Sequence, residues 1–217
     1  MLYMLVALYS LLSACANGET IIVAKFPLQF SANLTLTANQ IPVESDYPPR
    51  VRHMSLHYDY DNLRARVDIQ EGYEAAKMYI RRYDLKREYM YRLPPIDDCK
   101  RSFLNEVMPY PLLPVETQYV GQDSIDGVLC NYFVFEEYDT RVHMYFAVSS
   151  GAPIRLLQEA TTKGVSTPML TYDFSGIVLG EPDESLFELP AATTHEKCDR
   201  LIGGFPYIHI FHYFAKV

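Results

Sequence analysis

The stretch VSTPMLTYDFSGIVLGEPDESLFELP, residues 165–190, decides the fold. Residues 169–179 alternate and are rich in β-branched and aromatic side chains, which predicts a strand. Gly180 ends that strand. Asp183 then begins one short helical turn, because its carboxylate accepts hydrogen bonds at the positive end of a helix. The turn carries Phe187 on its apolar side, so we expect it to pack on the end of a sheet.

Strand patterns separated by turn residues recur along the chain, about every ten residues in several places. They predict an all-β fold, a curved antiparallel meander that forms a half-barrel or two stacked sheets, with one or two short helical turns and an apolar pocket. For residues 74–83 a helix is the alternative to the strand that is predicted at 77–85. Residues 96–114 are expected to be irregular, with a helical turn at 101–107. The predicted strands are 24–37, 51–60, 63–70, 77–85, 86–93, 118–122, 128–136, 141–148, 154–160 and 169–179.

Composition indicates a globular protein. The chain has 217 residues, 49% of them hydrophobic, which is enough for one large β domain, placed at residues 17–198. The net charge of -8 argues against nucleic acid and anionic membrane surfaces as partners.

The first residues predict export. Residues 1–16 are apolar and uncharged, and Ala14-Cys15-Ala16 fits the cleavage rule of a signal peptide. We therefore expect a secreted protein, extracellular or in the lumen of the secretory pathway. A lipidated Cys15 is the alternative. No later run is long enough for a membrane span.

An exported chain is oxidised, so its cysteines predict a disulfide. Three remain after cleavage. Cys130 lies in a strand pattern, where a thiol is an ordinary small apolar residue. The polar surroundings of the other two favour Cys99–Cys198, with the other two pairings left open. Asn33 begins a glycosylation acceptor sequence, Asn33-Leu34-Thr35.

Two predicted strands, 128–136 and 141–148, are apolar on both faces. Each must therefore be covered twice, by a core and by a second sheet, a tail or a ligand. A plain sandwich core is the alternative to an open pocket. The aromatic tail, residues 199–217, is expected to pack on the sheet, and residues 203–217 would offer a docking strand to a protein partner. The candidate ligand-pocket residues are Met54, Leu56, Met78, Ile80, Phe133, Phe135, Met144, Phe146 and Leu170.

Several segments resemble a known group of proteins. YDFSG at 172–176, GEPD at 180–183 and LFELP at 186–190, followed by Cys198, are similar to the closing segment of ependymin-related and LolA-like lipoprotein-carrier domains. The similarity spans residues 26–198. It implies a curved antiparallel sheet, or two stacked sheets, around an apolar pocket for lipid-like ligands. Only Cys99 and Cys198 lie where a family disulfide is expected.

No catalytic motif occurs in the sequence, so we predict no enzyme, no cofactor and no metal site. The predicted function is that of a secreted protein that binds a hydrophobic small molecule or lipid on the concave face of a β-sheet. The alternative is an extracellular structural or interaction glycoprotein without a small ligand.

Overall fold

The computed structural model describes residues 25–45, 48–70, 76–191 and 193–205. Within them the chain forms twelve strands and two 3₁₀ turns, at Glu184–Phe187 and His195–Lys197. The strands are β1 (Gln29–Ala38), β2 (Val51–Asp59), β3 (Arg64–Ile69), β4 (Lys77–Arg82), β5 (Arg87–Arg92), β6 (Asp98–Phe103), β7 (Gln118–Ile125), β8 (Val128–Glu137), β9 (Thr140–Ala147), β10 (Pro153–Thr162), β11 (Val165–Leu179) and β12 (Asp199–Arg200).

The described strands form one open sheet in the order β12-β6-β5-β4-β3-β2-β1-β11-β10-β9-β8-β7. Neighbours are antiparallel, except that the two residues of β12 pair in parallel with β6. The pairing of β1 with β11 joins the two meandering halves of the sheet. The all-β antiparallel prediction is therefore confirmed, and the sheet is open, with β12 and β7 at its edges.

One alternative is excluded and one local prediction is wrong. β4 is a strand, as predicted for 77–85, so the alternative helix does not form over the described part of 74–83. β6 is also a strand, although residues 96–114 were expected to be irregular with a helical turn at 101–107. In both places the backbone pairs with β5, and these non-local hydrogen bonds override local propensity.

The tip of the β10–β11 hairpin explains why β11 begins at Val165, four residues before the predicted strand. Lys163 and Gly164 both have positive φ, 53° and 78°. This left-handed pair matches the twist of the two flanking strands, so their pairing continues up to the turn.

The predicted closing turn is confirmed at Glu184–Phe187. The Asp183 carboxylate accepts a hydrogen bond from the Ser185 backbone N–H at 2.8 Å. Phe187 is buried, and the Arg66 Nη1 group donates to the Leu186 carbonyl at 2.7 Å. The turn therefore packs on the sheet at β3.

The sheet buries apolar side chains on both faces. The larger cluster occupies what we call the inner face, and it contains Leu34, Met54 and Met144. A smaller cluster lies on the opposite, outer face around the Cys99–Cys198 disulfide, and Leu189 of the closing segment packs against it. The rest of the inner cluster includes Phe26, Phe30, Ala32, Leu56, Tyr58, Ala65, Val67, Phe133, Val142, Phe146, Leu156, Tyr172 and Phe174.

Some predictions fall outside the described residues. The signal peptide at 1–16 is one, and the aromatic run from 207 to 214 is another. The described start of the tail, 199–205, contains β12 and the buried Phe205. Among the described residues no helix is both long and apolar enough to cross a membrane.

Candidate ligand-binding face

Cross-strand register places the apolar side chains of the inner face side by side. Leu34 of β1 pairs with Met54 on one side and with Phe174 on the other. Met144 of β9 likewise pairs with Phe133 of β8. Because paired residues share a face, these rows form one apolar surface that runs across the middle of the sheet.

Seven of the nine predicted pocket residues lie on this surface. Five are buried in the inner cluster, and two, Phe135 and Leu170, are partly buried against it. The buried five are Met54, Leu56, Phe133, Met144 and Phe146.

The other two predicted pocket residues, Met78 and Ile80, lie on the outer face, so they do not share the inner face with the other seven. Val67, an inner-face residue, pairs with Tyr79. The alternation of β4 therefore turns Met78 and Ile80 to the outer side, where Leu189 packs against their cluster. The sequence shows β4 as partly apolar, but it does not show which face its apolar residues join.

An irregular segment, residues 104–117, crosses part of the inner face, and we call it the strap. Its Leu104 and Met108 are buried in the inner cluster. The Tyr58 hydroxyl donates a hydrogen bond to the Pro109 carbonyl, and the Phe26 N–H donates to the Pro111 carbonyl at 3.2 Å. The protein's own side chains thus fill this part of the face, where Phe30 and Tyr58 are fully buried.

The end of the inner face beside β8, β10 and β11 is more exposed. Phe135 and Leu170 are partly buried there, together with Leu36 of β1. Between them lies Gln158, which pairs with Val142 on one side and with Leu170 on the other. We call the group Leu36, Phe135, Gln158 and Leu170 the rim.

The Gln158 side chain gives the rim a polar group in apolar surroundings. Its Oε1 atom is buried and accepts no hydrogen bond within the part of the chain that the structure describes. An unpaired buried amide oxygen costs about 1–3 kcal/mol. A donor from a ligand would recover that energy. Sequence reasoning missed this residue, because an isolated Gln in a strand pattern has the appearance of a solvent-facing residue.

The outer face of β1 and β2 is polar. Ser31 is hydrogen-bonded to His57 at 2.8 Å, and burial lowers the pKa of that imidazole, although Asp68 opposes the shift. Asn33 is exposed on this face, and its Oδ1 accepts a hydrogen bond from the Ser55 hydroxyl at 3.2 Å. The position is accessible, and its glycosylation stays a prediction.

The outer face of β8 and β9 carries a ring stack that the sequence analysis missed. Tyr132 lies parallel to Tyr145, with ring centroids 4.7 Å apart, and its hydroxyl is hydrogen-bonded to His143 Nδ1 at 2.6 Å. Burial raises the pKa of Tyr145 to about 12, so its hydroxyl stays protonated. The signal was present in the sequence as Tyr and His at alternate positions of neighbouring strands.

The disulfide prediction is confirmed. Cys99 and Cys198 are bonded, with Cα atoms 4.6 Å apart. Cys130 is a buried free thiol whose pKa is raised by burial. The two alternative pairings, which both need Cys130, are excluded.

The chain belongs to the family described as a domain of unknown function (DUF8395), whose model matches residues 25–189. No curated protein is similar in sequence to this chain.

Several solved structures are similar in fold. An uncharacterized conserved protein from Thermus thermophilus has a TM-score of 0.54 and 10% identity, over 81% of this chain and 91% of that one. The LolA superfamily protein NE2245 from Nitrosomonas europaea has a TM-score of 0.40 and 12% identity, over 76% and 92%. The Pseudomonas aeruginosa MucA/MucB complex gives 0.46 and 13%, over 75% of this chain and 56% of that chain.

At such identities a structural similarity shows the fold alone. The two scores below 0.5 support no inference about function. Structural neighbours thus include a LolA-superfamily protein, whereas the ependymin part of the resemblance stays a prediction.

Proposed function

We propose that this is a secreted binding protein, and not an enzyme, that holds a hydrophobic, lipid-like ligand at the rim of the inner face. The observation that carries the proposal is the buried, unpaired Gln158 Oε1 among apolar side chains. Small-molecule sites are typically apolar surfaces with a few placed polar groups, and the rim has this composition.

The chemistry of the rim selects the ligand class. Leu36, Phe135 and Leu170 are partly buried and would lose water on contact with an alkyl chain. Each methylene buried in this way contributes about 0.8 kcal/mol. Gln158 Oε1 can only accept a hydrogen bond, so the ligand has to present a donor such as a hydroxyl or a protonated acid.

The strap limits how much of the inner face a ligand can reach. Tyr58 and Met108 are buried where the strap packs on the sheet, so a ligand does not reach the apolar surface beneath it. We place the ligand on the rim, outside the strap. A longer alkyl chain would reach further only if residues 104–117 moved.

Export is supported by the disulfide between Cys99 and Cys198, because such bonds persist in oxidising compartments.

The test compares two neighbouring substitutions on β11. Leu170→Arg places a charge on the rim, whereas Met169→Arg alters the adjacent residue, which is 36% exposed. Binding of a fluorescent sixteen-carbon fatty alcohol is titrated against each variant and the wild type. We expect Leu170→Arg to weaken binding about 10-fold or more, and Met169→Arg to change it less than about 2-fold. Thermal unfolding of each variant confirms that it folds.

A second substitution separates binding from folding. Gln158→Leu removes the unpaired amide, so the domain should become more stable. The same change should weaken the binding of a fatty alcohol more than the binding of the matching alkane, because only the alcohol donates a hydrogen bond to Oε1. The proposal is wrong if the wild type binds no probe and native mass spectrometry of protein from its own host shows no bound lipid.

The filled part of the inner face favours a second candidate, an extracellular interaction glycoprotein without a small ligand. The strap closes the surface where Phe30 and Tyr58 lie, as an ordinary core would. A wild-type protein that carries no lipid, and that has a glycan on Asn33, would support this candidate.

A further inference from the structure

A cleft lies away from the rim, where β5, β6 and β12 meet. Its volume is about 210 Å³. Its lining is basic and contains no Asp or Glu among the described residues, in a protein whose net charge is -8. We call it the basic cleft, and the side chains that matter are Lys86, Arg87, Arg101, His195 and Arg200.

The cations of this cleft differ from others in the described chain. Arg64 pairs with Asp59 at 2.7 Å, and Arg141 pairs with Glu136 at 2.6 Å. Within the described ranges, in contrast, Arg87 and Arg200 have no carboxylate within ion-pair distance. Like charges held close together repel each other, and a bound anion relieves that repulsion.

Arg101 is held in place by the backbone and by an imidazole. Its Nε donates to the Cys198 carbonyl at 3.0 Å, and its Nη1 donates to His195 Nε2 at 2.5 Å. His195 Nδ1 is hydrogen-bonded to the Tyr89 hydroxyl at 2.9 Å. These bonds orient the guanidinium without neutralising its charge, so the site is preorganised for an anion.

The pKa of His195 agrees with this electrostatic environment. Burial, and then the positive charges of Arg101 and Arg87, lower it, although the carboxylate of Glu196 opposes the shift. An imidazole whose Nε2 accepts from a guanidinium is neutral, so the positive charge of the cleft comes from its lysine and arginines.

We infer that the basic cleft binds an oxyanion of the phosphate or sulfate type, either free or as the headgroup of a larger molecule. Arginine guanidinium groups present paired N–H donors that match the oxygens of such anions. The inference concerns a different surface from the rim and does not depend on the proposed function.

The experiment measures binding of inorganic phosphate and of sulfate by calorimetry, with chloride keeping the ionic strength constant. The cleft variant is Arg87→Gln with Arg200→Gln. The control is Arg50→Gln with Arg52→Gln, which removes the same charge at the start of β2, four strands from β6. Unfolding in chloride shows that both variants fold.

We expect the wild type to bind phosphate saturably. The cleft variant should bind at least about 10-fold more weakly, since it loses two charge-assisted contacts, and the control should stay within about 2-fold. Vesicles of phosphatidic acid, compared with vesicles of phosphatidylcholine, identify the source. If the protein binds only the phosphatidic acid vesicles, and the cleft variant loses this binding, the anion is a lipid headgroup. Equal loss in both variants, or no binding of any probe, would overturn the inference.

Discussion

The guanidinium of Arg64 lies over the ring of Phe187, 4.7 Å from the ring centroid. The same side chain donates from Nε to Asp59 Oδ2 at 2.7 Å. One arginine thus connects the closing turn to the β2–β3 hairpin. Because both Arg64 and Asp59 are buried, this contact lets the closing turn stabilise a hairpin more than a hundred residues earlier in the chain.

Substitution of Phe187 tests the role of the closing turn. Phe187→Ala removes a buried ring and its contact with the Arg64 cation, so the free energy of unfolding should fall by about 3 kcal/mol or more. Urea denaturation measures the change. The control is Leu179→Ala at a residue that is 47% exposed, where less than about 0.5 kcal/mol is expected. Equal effects would show that the turn does not stabilise the sheet.

Removal of the Asp59 charge should be costly. Asp59→Asn leaves the buried Arg64 with only the exposed Glu181 at 3.4 Å and Glu184 at 3.6 Å, and we expect a loss of about 3 kcal/mol. The exposed pair between Arg82 and Asp84 provides the control, because Asp84→Asn should cost less than about 1 kcal/mol. Denaturation in urea at neutral pH compares the two. A similar small loss for both would contradict the structural role of Asp59.

The same carboxylate predicts a pH dependence. Burial alone would raise the pKa of Asp59, but hydrogen bonds from Gln29, Asn62 and Arg64 lower it below its ordinary value of 3.8. The unfolded chain then binds the proton more readily than the folded one, so the stabilisation is present above pH 3.8 and is lost as the pH falls through the folded pKa. The stability gap between wild type and Asp59→Asn should therefore narrow only in acid. If this stability difference narrows between about pH 5 and 7, a titratable group other than Asp59 causes the effect.

Reduction of the disulfide should destabilise the domain. Cys99 and Cys198 are 99 residues apart, and closing a loop of this length is worth about 4–5 kcal/mol in the loop-entropy treatment. Cys99→Ala with Cys198→Ala should lower the unfolding midpoint far more than Cys130→Ala, which leaves the bond intact. Peptide mapping without reductant checks the pairing. A linked peptide that contains Cys130 would contradict it.

The strap is tested by hydrogen exchange. Tyr58→Phe removes the donor to the Pro109 carbonyl, which becomes a buried unpaired acceptor, so the strap should lose about 1–3 kcal/mol of local stability. Amides of residues 104–117 should exchange faster, whereas those of β1 should keep their rates. Thr35→Val serves as the control, since it removes an exposed side-chain contact with His53. Uniformly faster exchange would mean that Tyr58 stabilises the whole sheet.

Local pattern was sufficient for much of the architecture. Period-two alternation predicts β3 and β9, and the cap at Asp183 predicts the closing turn, because each depends on a few neighbouring residues. β6 was missed for the opposite reason. The sequence of Asp98–Phe103 is mostly polar and carries no clear strand pattern, and the segment becomes a strand only by pairing with β5.

The candidate site was predictable only in part. Met54 and Phe133 carry enough hydrophobic character to be placed in the apolar face from sequence alone. Met78 and Ile80 were grouped with the inner-face residues but lie on the outer face, since a one-residue difference in register exchanges the two faces of a strand. Neither the strap nor the environment of Gln158 has a sequence signal, because both arise from contacts between distant segments.

By itself the sequence determined the class of fold, the positions of most strands, the closing turn and the preferred cysteine pair. Backbone propensity and side-chain period act over a few residues, so they can be read without coordinates. The tertiary structure decided which face each apolar residue joins, how much of the inner face the strap fills, and that Lys86, Arg101 and Arg200 share one cleft. Those properties depend on strand order and register, which arise when segments far apart in the chain pair with one another.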